Sequence, residues 1–179
     1  MYVACSTLCF AKHPLDKVLR IIAELEFGKM DVAIHERGPH LKPSEVAADV
    51  TAAAQRLRIG PGLTPAAFSV EIEAEEEEEY HRQLRAVCRL ARLSAVAVLT
   101  VAAAPTGTAL DAEVKRLGKL VHLAEKEGAV LTVDTRIGTV TEDPDAWPRL
   151  MPGPDSSSRG GAPTGPSPTR PPLPRRPRR

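Results

Sequence analysis

The sequence predicts an α/β fold in which five parallel strands alternate with four helices. Three observations indicate it. Five short apolar runs of four to six residues are separated by longer segments whose apolar residues recur at helical spacing. One run and the segment after it together take roughly 30 residues, the length of a repeating βα unit. The runs return regularly along the first 134 residues, so crossover helices can lay successive strands side by side in one direction.

The five predicted strands are rich in branched and small apolar residues. They are Tyr2–Cys5, Met30–His35, Ala67–Ile72, Val96–Val101 and Ala129–Asp134. In the second, third and fifth strands, apolar residues alternate with small or polar ones, so the two sets lie on opposite faces of the sheet. The small or polar set consists of Asp31, Ala33, His35, Ser69, Glu71, Thr132 and Asp134.

The four predicted helices carry apolar stripes that would pack on the sheet. They cover about residues 14–26, 44–57, 75–93 and 109–127. Ser44 is predicted to cap the second helix, and Thr108 has capping-box spacing with Asp111 at the start of the fourth. Gly28 and Gly128 follow the first and fourth helices, where glycine commonly ends a helix.

Two architectures share this local pattern, a TIM barrel and a doubly wound open sheet, and periodicity alone does not separate them. The alternation within the strands favours the barrel. A barrel interior accepts polar side chains at its carboxyl-terminal rim, whereas its outer face must meet helices. We therefore predict a partial (β/α)8 TIM barrel of about five βα units.

The predicted domain ends at Trp147, and residues 148–179 are predicted to form a disordered tail rich in proline and arginine. This segment holds ten of the 17 prolines and few apolar side chains, too few to offset the entropy cost of ordering. Seven arginines against one acidic residue give it a charge of +6, so residues 1–147 carry −5. The composition changes abruptly after Ala146, which suggests a hypothesis that the tail is an out-of-frame continuation.

Composition excludes several classes of protein. A net charge of +1 does not indicate a specific nucleic-acid partner. Three cysteines without a CxxC pair argue against a disulfide framework or a zinc knuckle. No apolar run approaches the ~18 residues of a membrane span, and the first residues lack the features of a signal peptide. We therefore expect a cytoplasmic protein that does not enter a membrane.

Three segments resemble xylose isomerase-like TIM barrels, which include sugar phosphate isomerases and epimerases and endonuclease IV-type enzymes. They are CSTLCFAKHPLDKVLRIIAELEF, DVAIHERGPHLKPSEV and LTVDTRIGTVTEDPDA. The third is the most specific, because this family typically has an apolar strand, Glu, a short polar loop, Gly and Thr there. The resemblance implies a (β/α)8 barrel with a divalent metal, Mn or Mg, at the carboxyl-terminal rim.

Asp134 is the candidate metal ligand. An acidic residue at the carboxyl end of a barrel strand points into the site and can hold a hard divalent cation. The resemblance implies the first metal carboxylate at this position, where the family usually has Glu. It places the other ligands on strands six to eight, for which this sequence has no counterpart. The alternative is an Asp that caps the loop after it.

His35 and Glu71 are the candidate catalytic residues. They end the second and third predicted strands with the same parity as Asp134, so a barrel would bring all three to one rim. An imidazole beside carboxylates suits proton transfer to and from a sugar. The alternative is a pair that only satisfies its own hydrogen bonds.

Three further residues are candidates for binding substrate. His13 and His40 lie in predicted rim loops, where they could contact a sugar or a phosphate. Arg136 follows Asp134 closely and could pair with a phosphate. For Arg136 an ordinary surface position is the alternative.

The leading functional hypothesis is a metal-dependent isomerase or epimerase of a sugar or sugar phosphate. With only five units present, we expect little or no turnover. The first alternative is a non-catalytic half-barrel or interaction protein that forms a homo-oligomer through its open strand edges. An endonuclease IV-like phosphodiesterase ranks lowest, because the sequence has only five histidines and its first 147 residues are acidic.

Overall fold

The computed structural model describes residues 3–58 and 62–150, and in these ranges five parallel strands form one sheet. The strands are β1 (Ala4–Ser6), β2 (Lys29–His35), β3 (Thr64–Glu71), β4 (Val98–Ala102) and β5 (Val130–Asp134). They lie side by side in the order of the sequence, and every neighbouring pair is parallel. A doubly wound sheet would reverse its strand order partway. The sequential order therefore confirms the predicted partial barrel.

Helices connect the strands on one side of the sheet. In the described residues they are α1 (Leu15–Glu24), α2 (Pro43–Ala48), α3 (Val50–Arg56), α4 (Glu77–Leu93), α5 (Leu110–Lys126) and α6 (Trp147–Leu150). Short 3₁₀ helices cover Thr7–Phe10, Val140–Glu142 and Pro144–Ala146. None of the helices in these ranges is long and apolar enough to cross a membrane.

The second predicted helix is two helices, α2 and α3, which meet at Asp49. This residue has an extended backbone with φ −150° and ψ 94°, which interrupts the helix. Its carboxylate then accepts a hydrogen bond from the backbone N–H of Ala52 at 2.9 Å and caps α3. Asp49 therefore divides this segment into two helices. The spacing of the apolar residues alone predicted a single helix.

Both predicted helix caps are wrong. Pro43 occupies the first turn of α2, a position that suits proline, so Lys42 precedes the helix. Ser44 lies inside α2 and donates from its hydroxyl to the Glu36 carboxylate at 2.6 Å. Before α5, Ala109 is the capping residue and no side chain caps the helix.

The segment after β5 continues in helical turns to the end of the described residues. Leu150 in α6 is 9% exposed and belongs to the hydrophobic core. Helical structure therefore extends three residues past the predicted domain end at Trp147. The predicted disorder of the tail concerns mainly residues 151–179, which lie outside the described residues.

The hydrophobic core lies between the outer face of the sheet and the helices. At its centre, Val32, Phe68 and Leu99 are adjacent in register on β2, β3 and β4, and all three are fully buried. Val32 and Phe68 belong to the apolar parity that the sequence predicted to face helices. The other parity forms the inner face, where the Thr100 and Thr132 hydroxyls are 2.8 Å apart. The inner face ends in the polar residues of the candidate site.

Candidate functional site

The carboxyl ends of β2, β3 and β5 bring predicted site residues to one rim. His35 and Glu71 are partners in the register of β2 and β3. Asp134 pairs in register with Ala102, the last residue of β4. Val70 pairs with Val101, so Ala102 also adjoins Glu71 in register. The methyl side chain of Ala102 therefore leaves space between the Glu71 and Asp134 carboxylates.

Arg136 fills that space and joins the two carboxylates. Its Nη1 donates to Oε1 of Glu71 at 2.5 Å. Its Nη2 and Nε donate to Oδ2 of Asp134 at 3.1 and 3.3 Å. On the other side of Glu71, Oε2 lies 3.4 Å from Nδ1 of His35. We call His35, Glu71, Asp134 and Arg136 the rim cluster; all four were predicted as site residues.

The rim cluster combines a nearly buried imidazole with partly exposed charges. The His35 side chain is 11% exposed, against 34% for Glu71, 42% for Asp134 and 44% for Arg136. Hydrogen bonds to Glu71, and secondarily to Asp134, raise the pKa of the Arg136 guanidinium. Two carboxylates and one permanent cation therefore meet where a ligand from solvent can reach them.

The loop after β5 holds the backbone of Arg136 from both sides. The Arg136 N–H donates to the Thr141 hydroxyl at 3.3 Å, and the Arg136 carbonyl accepts from the Thr139 hydroxyl at 2.7 Å. Both threonines are buried, and their hydroxyls are 2.7 Å apart. Gly138 has φ +81°, which glycine adopts without strain and which tightens the turn. Sequence reasoning assigned no role to these threonines.

Ser69 and Asp31 extend the polar surface along the inner face below the rim. The Ser69 hydroxyl lies 3.3 Å from Nε2 of His35, so both ring nitrogens of this histidine have neighbours. Asp31 pairs with Ser6 in the register of β1 and β2. Burial raises the pKa of Asp31, while the Ser6 hydroxyl and the charge of His35 oppose that shift. The sequence put both residues on the inner parity without giving them a role.

His13 and His40 meet each other in the loops after β1 and β2. Nε2 of His40 lies 3.2 Å from the His13 carbonyl oxygen. His40 is 3% exposed, and burial lowers its pKa. Among the described residues its Nδ1 has no hydrogen-bond partner, and no hydrogen bond joins either histidine to the rim cluster. The substrate-binding role of both histidines stays a prediction.

The structure matches solved TIM barrel structures. The probable 3-DHS dehydratase AsbF from Bacillus anthracis, involved in petrobactin synthesis, matches with a TM-score of 0.65 and 13% identity over 85% of this chain. A xylose isomerase-like TIM barrel protein from Mycobacterium smegmatis, in complex with magnesium, matches with a TM-score of 0.59 and 16% identity over 84%. A D-tagatose 3-epimerase-like protein matches with a TM-score of 0.57 and 16% identity over 84%.

These matches confirm the predicted resemblance at the level of the fold. The chain has the fold of xylose isomerase-like TIM barrel proteins over most of its length. It spans 58% of the length of the dehydratase and 60% of the other two structures. No protein-family model matches the sequence, and no curated protein matches it significantly.

The rim cluster does not fit the divalent metal that the resemblance implies. In residues 3–58 and 62–150, no three His, Cys, Asp or Glu side chains are grouped so that they could hold a metal ion. The two carboxylates of the rim cluster, Glu71 and Asp134, both bind the Arg136 guanidinium. A divalent cation between them would be repelled by this permanent positive charge.

Proposed function

We propose that the protein is a sugar or sugar-phosphate isomerase- or epimerase-like protein of the cytoplasm that is inactive or impaired in net turnover. The observation that carries the proposal is the rim cluster, in which an imidazole, two carboxylates and a guanidinium share one end of the inner face. The fold supports it, because the matching structures include an epimerase-like protein and a dehydratase. Sites on TIM barrels lie at this end of the strands.

Glu71 and His35 are the proposed proton-transfer pair. Glu71 takes a proton from the carbon beside the substrate carbonyl, and the electrons of that C–H bond form an enediolate. His35 donates a proton to the carbonyl oxygen, and its separation of 3.4 Å from Glu71 supports exchange between the two groups. In an isomerisation, the hydroxyl proton on the neighbouring carbon then passes to His35 as the carbonyl re-forms there, and a proton returns to the former carbonyl carbon. In an epimerisation, His35 takes back the proton that it gave, and a proton returns to the original carbon from the opposite face.

Arg136 is the proposed electrostatic partner of the substrate. Its fixed positive charge would stabilise an enediolate or a phosphate beside Glu71 and Asp134. His13 and His40 are proposed to line the far side of the site through the loops after β1 and β2. The proton steps involve no Mn or Mg ion, because the rim cluster does not fit one.

The test measures exchange of carbon-bound hydrogen in purified full-length protein. We expect slow incorporation of deuterium from D₂O next to the carbonyl of a ketose or ketose phosphate in a panel. Removing the proposed base in Glu71→Gln should lower this rate by about 100-fold. Glu73→Gln is the control. Glu73 lies two residues after Glu71 and pairs with the exposed Arg37, so the exchange rate of this variant should equal that of the wild type.

Net turnover is measured in the same samples. We expect little or no net epimerisation with or without Mn²⁺, since Arg136 already binds both rim carboxylates. A strong rate that depends on Mn²⁺ would contradict the predicted impairment. If no member of the panel exchanges deuterium with the wild-type protein, the proposed isomerase or epimerase site is wrong.

A second candidate function is that of a half-barrel that pairs with another copy of itself. The outermost strands of the described sheet are β1 and β5, each with one unpaired edge. Val130 at the start of β5 is 57% exposed, and Val3 beside β1 is 66% exposed. Apolar residues at an open parallel edge favour association with another strand.

Chromatography with light scattering tests this pairing. We expect a dimer of defined mass, because two copies can cover each other's edges. Val130→Lys should shift the protein toward monomer by placing a charge at the β5 edge. Val121→Lys is the control, because Val121 is also exposed but lies on helix α5. A monomeric wild-type protein would rule out the second function.

A further inference from the structure

We propose that Arg136 is the resident cation of this rim, so that its guanidinium takes the place of a divalent metal. This inference rests on the proposed location of the site and deepens it, because it assigns the charge that compensates the two carboxylates. Three features of the described residues carry it. They are the reach of the guanidinium, the loop that holds it, and the spacing of the strands.

The guanidinium reaches two carboxylates from different strands. Its Nη1 is 2.5 Å from Glu71 on β3, and its Nη2 is 3.1 Å from Asp134 on β5. A planar guanidinium presents donors in fixed directions, so one side chain can bind two carboxylates on opposite sides. Arg136 therefore neutralises part of the negative charge of Glu71 and Asp134, which would otherwise attract a metal ion.

The loop holds Arg136 in position. Thr139 and Thr141 bind the carbonyl and the N–H of Arg136 from a buried position, which restrains the backbone from which the guanidinium extends. The Glu142 carboxylate also accepts from the Gly138 N–H at 2.9 Å, which closes the turn on its solvent side. The guanidinium contacts are thus prepared by the fold of the loop.

The strand spacing suits a guanidinium better than a single ion. Glu71 and Asp134 lie on strands separated by β4, and two strand spacings amount to roughly 9–10 Å between backbones. A divalent ion holds its oxygen ligands at about 2.0–2.6 Å, so both carboxylates would have to lean over Ala102 to share one ion. A guanidinium with a hydrogen bond on each side spans a wider gap.

The test titrates the full-length protein with Mn²⁺ alone and follows paramagnetic broadening of backbone amide signals near the rim. We expect no site-specific broadening in the wild type at millimolar Mn²⁺. Arg136→Met removes the positive charge and should raise Mn²⁺ affinity at the rim by about tenfold or more. The double variant Arg136→Met with Asp134→Asn should lose that gain.

Two outcomes would overturn the proposal. One is wild-type broadening at the rim that disappears in Asp134→Asn, since the native rim would then bind metal. The other is a folded Arg136→Met variant with the Mn²⁺ affinity of the wild type. If Arg136→Met does not fold, the comparison of wild type with Asp134→Asn still decides. The Mn²⁺ titration needs no sugar, and the deuterium exchange needs no metal. The proposed role of Arg136 as resident cation and the proposed isomerase or epimerase site can therefore fail separately.

Discussion

Replacing Arg116 by methionine should lower the free energy of unfolding by about 3 kcal/mol, because the Glu113 carboxylate would stay buried without its partner. The Glu113 side chain is fully buried in α5. Its oxygens accept hydrogen bonds from Nε and Nη2 of Arg116 at 2.7 and 2.8 Å, and from the Ala104 N–H at 3.0 Å. Removing one partner of such a pair is costly, because the remaining carboxylate is buried away from water and has no cation to replace that hydration.

The pair also ties α5 to the sheet beneath the rim. Nη2 of Arg116 donates to the Ala102 carbonyl at 3.0 Å, and Ala102 lies in register beside Asp134. The hydrogen bond to Glu113 raises the pKa of the Arg116 guanidinium, so this side chain stays charged at any pH of interest. We expect the variant to disturb the end of β4 as well as the helix.

A matched control exists on the neighbouring helix α4. Arg82 pairs with Glu79 at the same spacing of three residues and at 2.6 Å, but both side chains are substantially exposed. Arg82→Met should therefore leave the denaturation midpoint close to that of the wild type. Chemical denaturation followed by circular dichroism measures both variants. Equal midpoints for the two would contradict the assigned cost of burial.

A double variant separates lost charge from lost packing. Adding Glu113→Gln to Arg116→Met removes the buried negative charge and keeps an oxygen that can accept from the Ala104 N–H. We expect the double variant to be more stable than Arg116→Met alone. If it is less stable, the cost comes from the arginine's apolar stem and its bond to Ala102.

The strands were predictable because their two faces have different physical requirements. Val32, Phe68 and Leu99 must meet helices, so they are apolar, and the inner parity carries the polar residues. The carboxyl ends of parallel strands meet at the same rim, and residues of the same parity share one face of the sheet. His35, Glu71 and Asp134 were therefore predicted to converge. The alternation therefore predicted the sheet and three of the four residues of the rim cluster.

Contacts that depend on a loop were not predictable in the same way. The sequence suggested Arg136 as a phosphate ligand, but its contacts with Glu71 and Asp134 follow from a turn held by Thr139 and Thr141. Nothing in strand periodicity fixes the direction of a side chain beyond the end of the strand. The available signal in the sequence was a glycine, Gly138, with two threonines, Thr139 and Thr141, directly after it and two residues further on.

Buried charge was the other feature that the pattern did not reveal. Glu113 lies three residues after Leu110 and four before Leu117, so helical spacing places it beside the buried stripe of α5. An acidic side chain such as that of Glu113 is ordinarily expected to face solvent. Burial was decided by the Ala104 N–H and Arg116, which satisfy the carboxylate from the loop after β4 and from the next helical turn.

Truncating Phe68 to alanine should have the largest effect on stability, a loss of about 4 kcal/mol. Phe68 is fully buried in β3, between Val32 of β2 and Leu99 of β4 in register. Its removal leaves a cavity where the sheet meets the helices, and the rigid strands cannot close it. Since domains are stable by only roughly 5–15 kcal/mol, a large share of the total would be lost.

Two further variants show whether the cavity at β3 is the cause. Phe68→Leu keeps most of the buried volume and should cost much less than Phe68→Ala. Phe10→Ala makes the same chemical change in a half-buried residue at the edge of the core and should also cost less. Denaturant midpoints measure all three variants. Similar losses in Phe10→Ala and Phe68→Ala would mean that the centre of the sheet does not dominate stability.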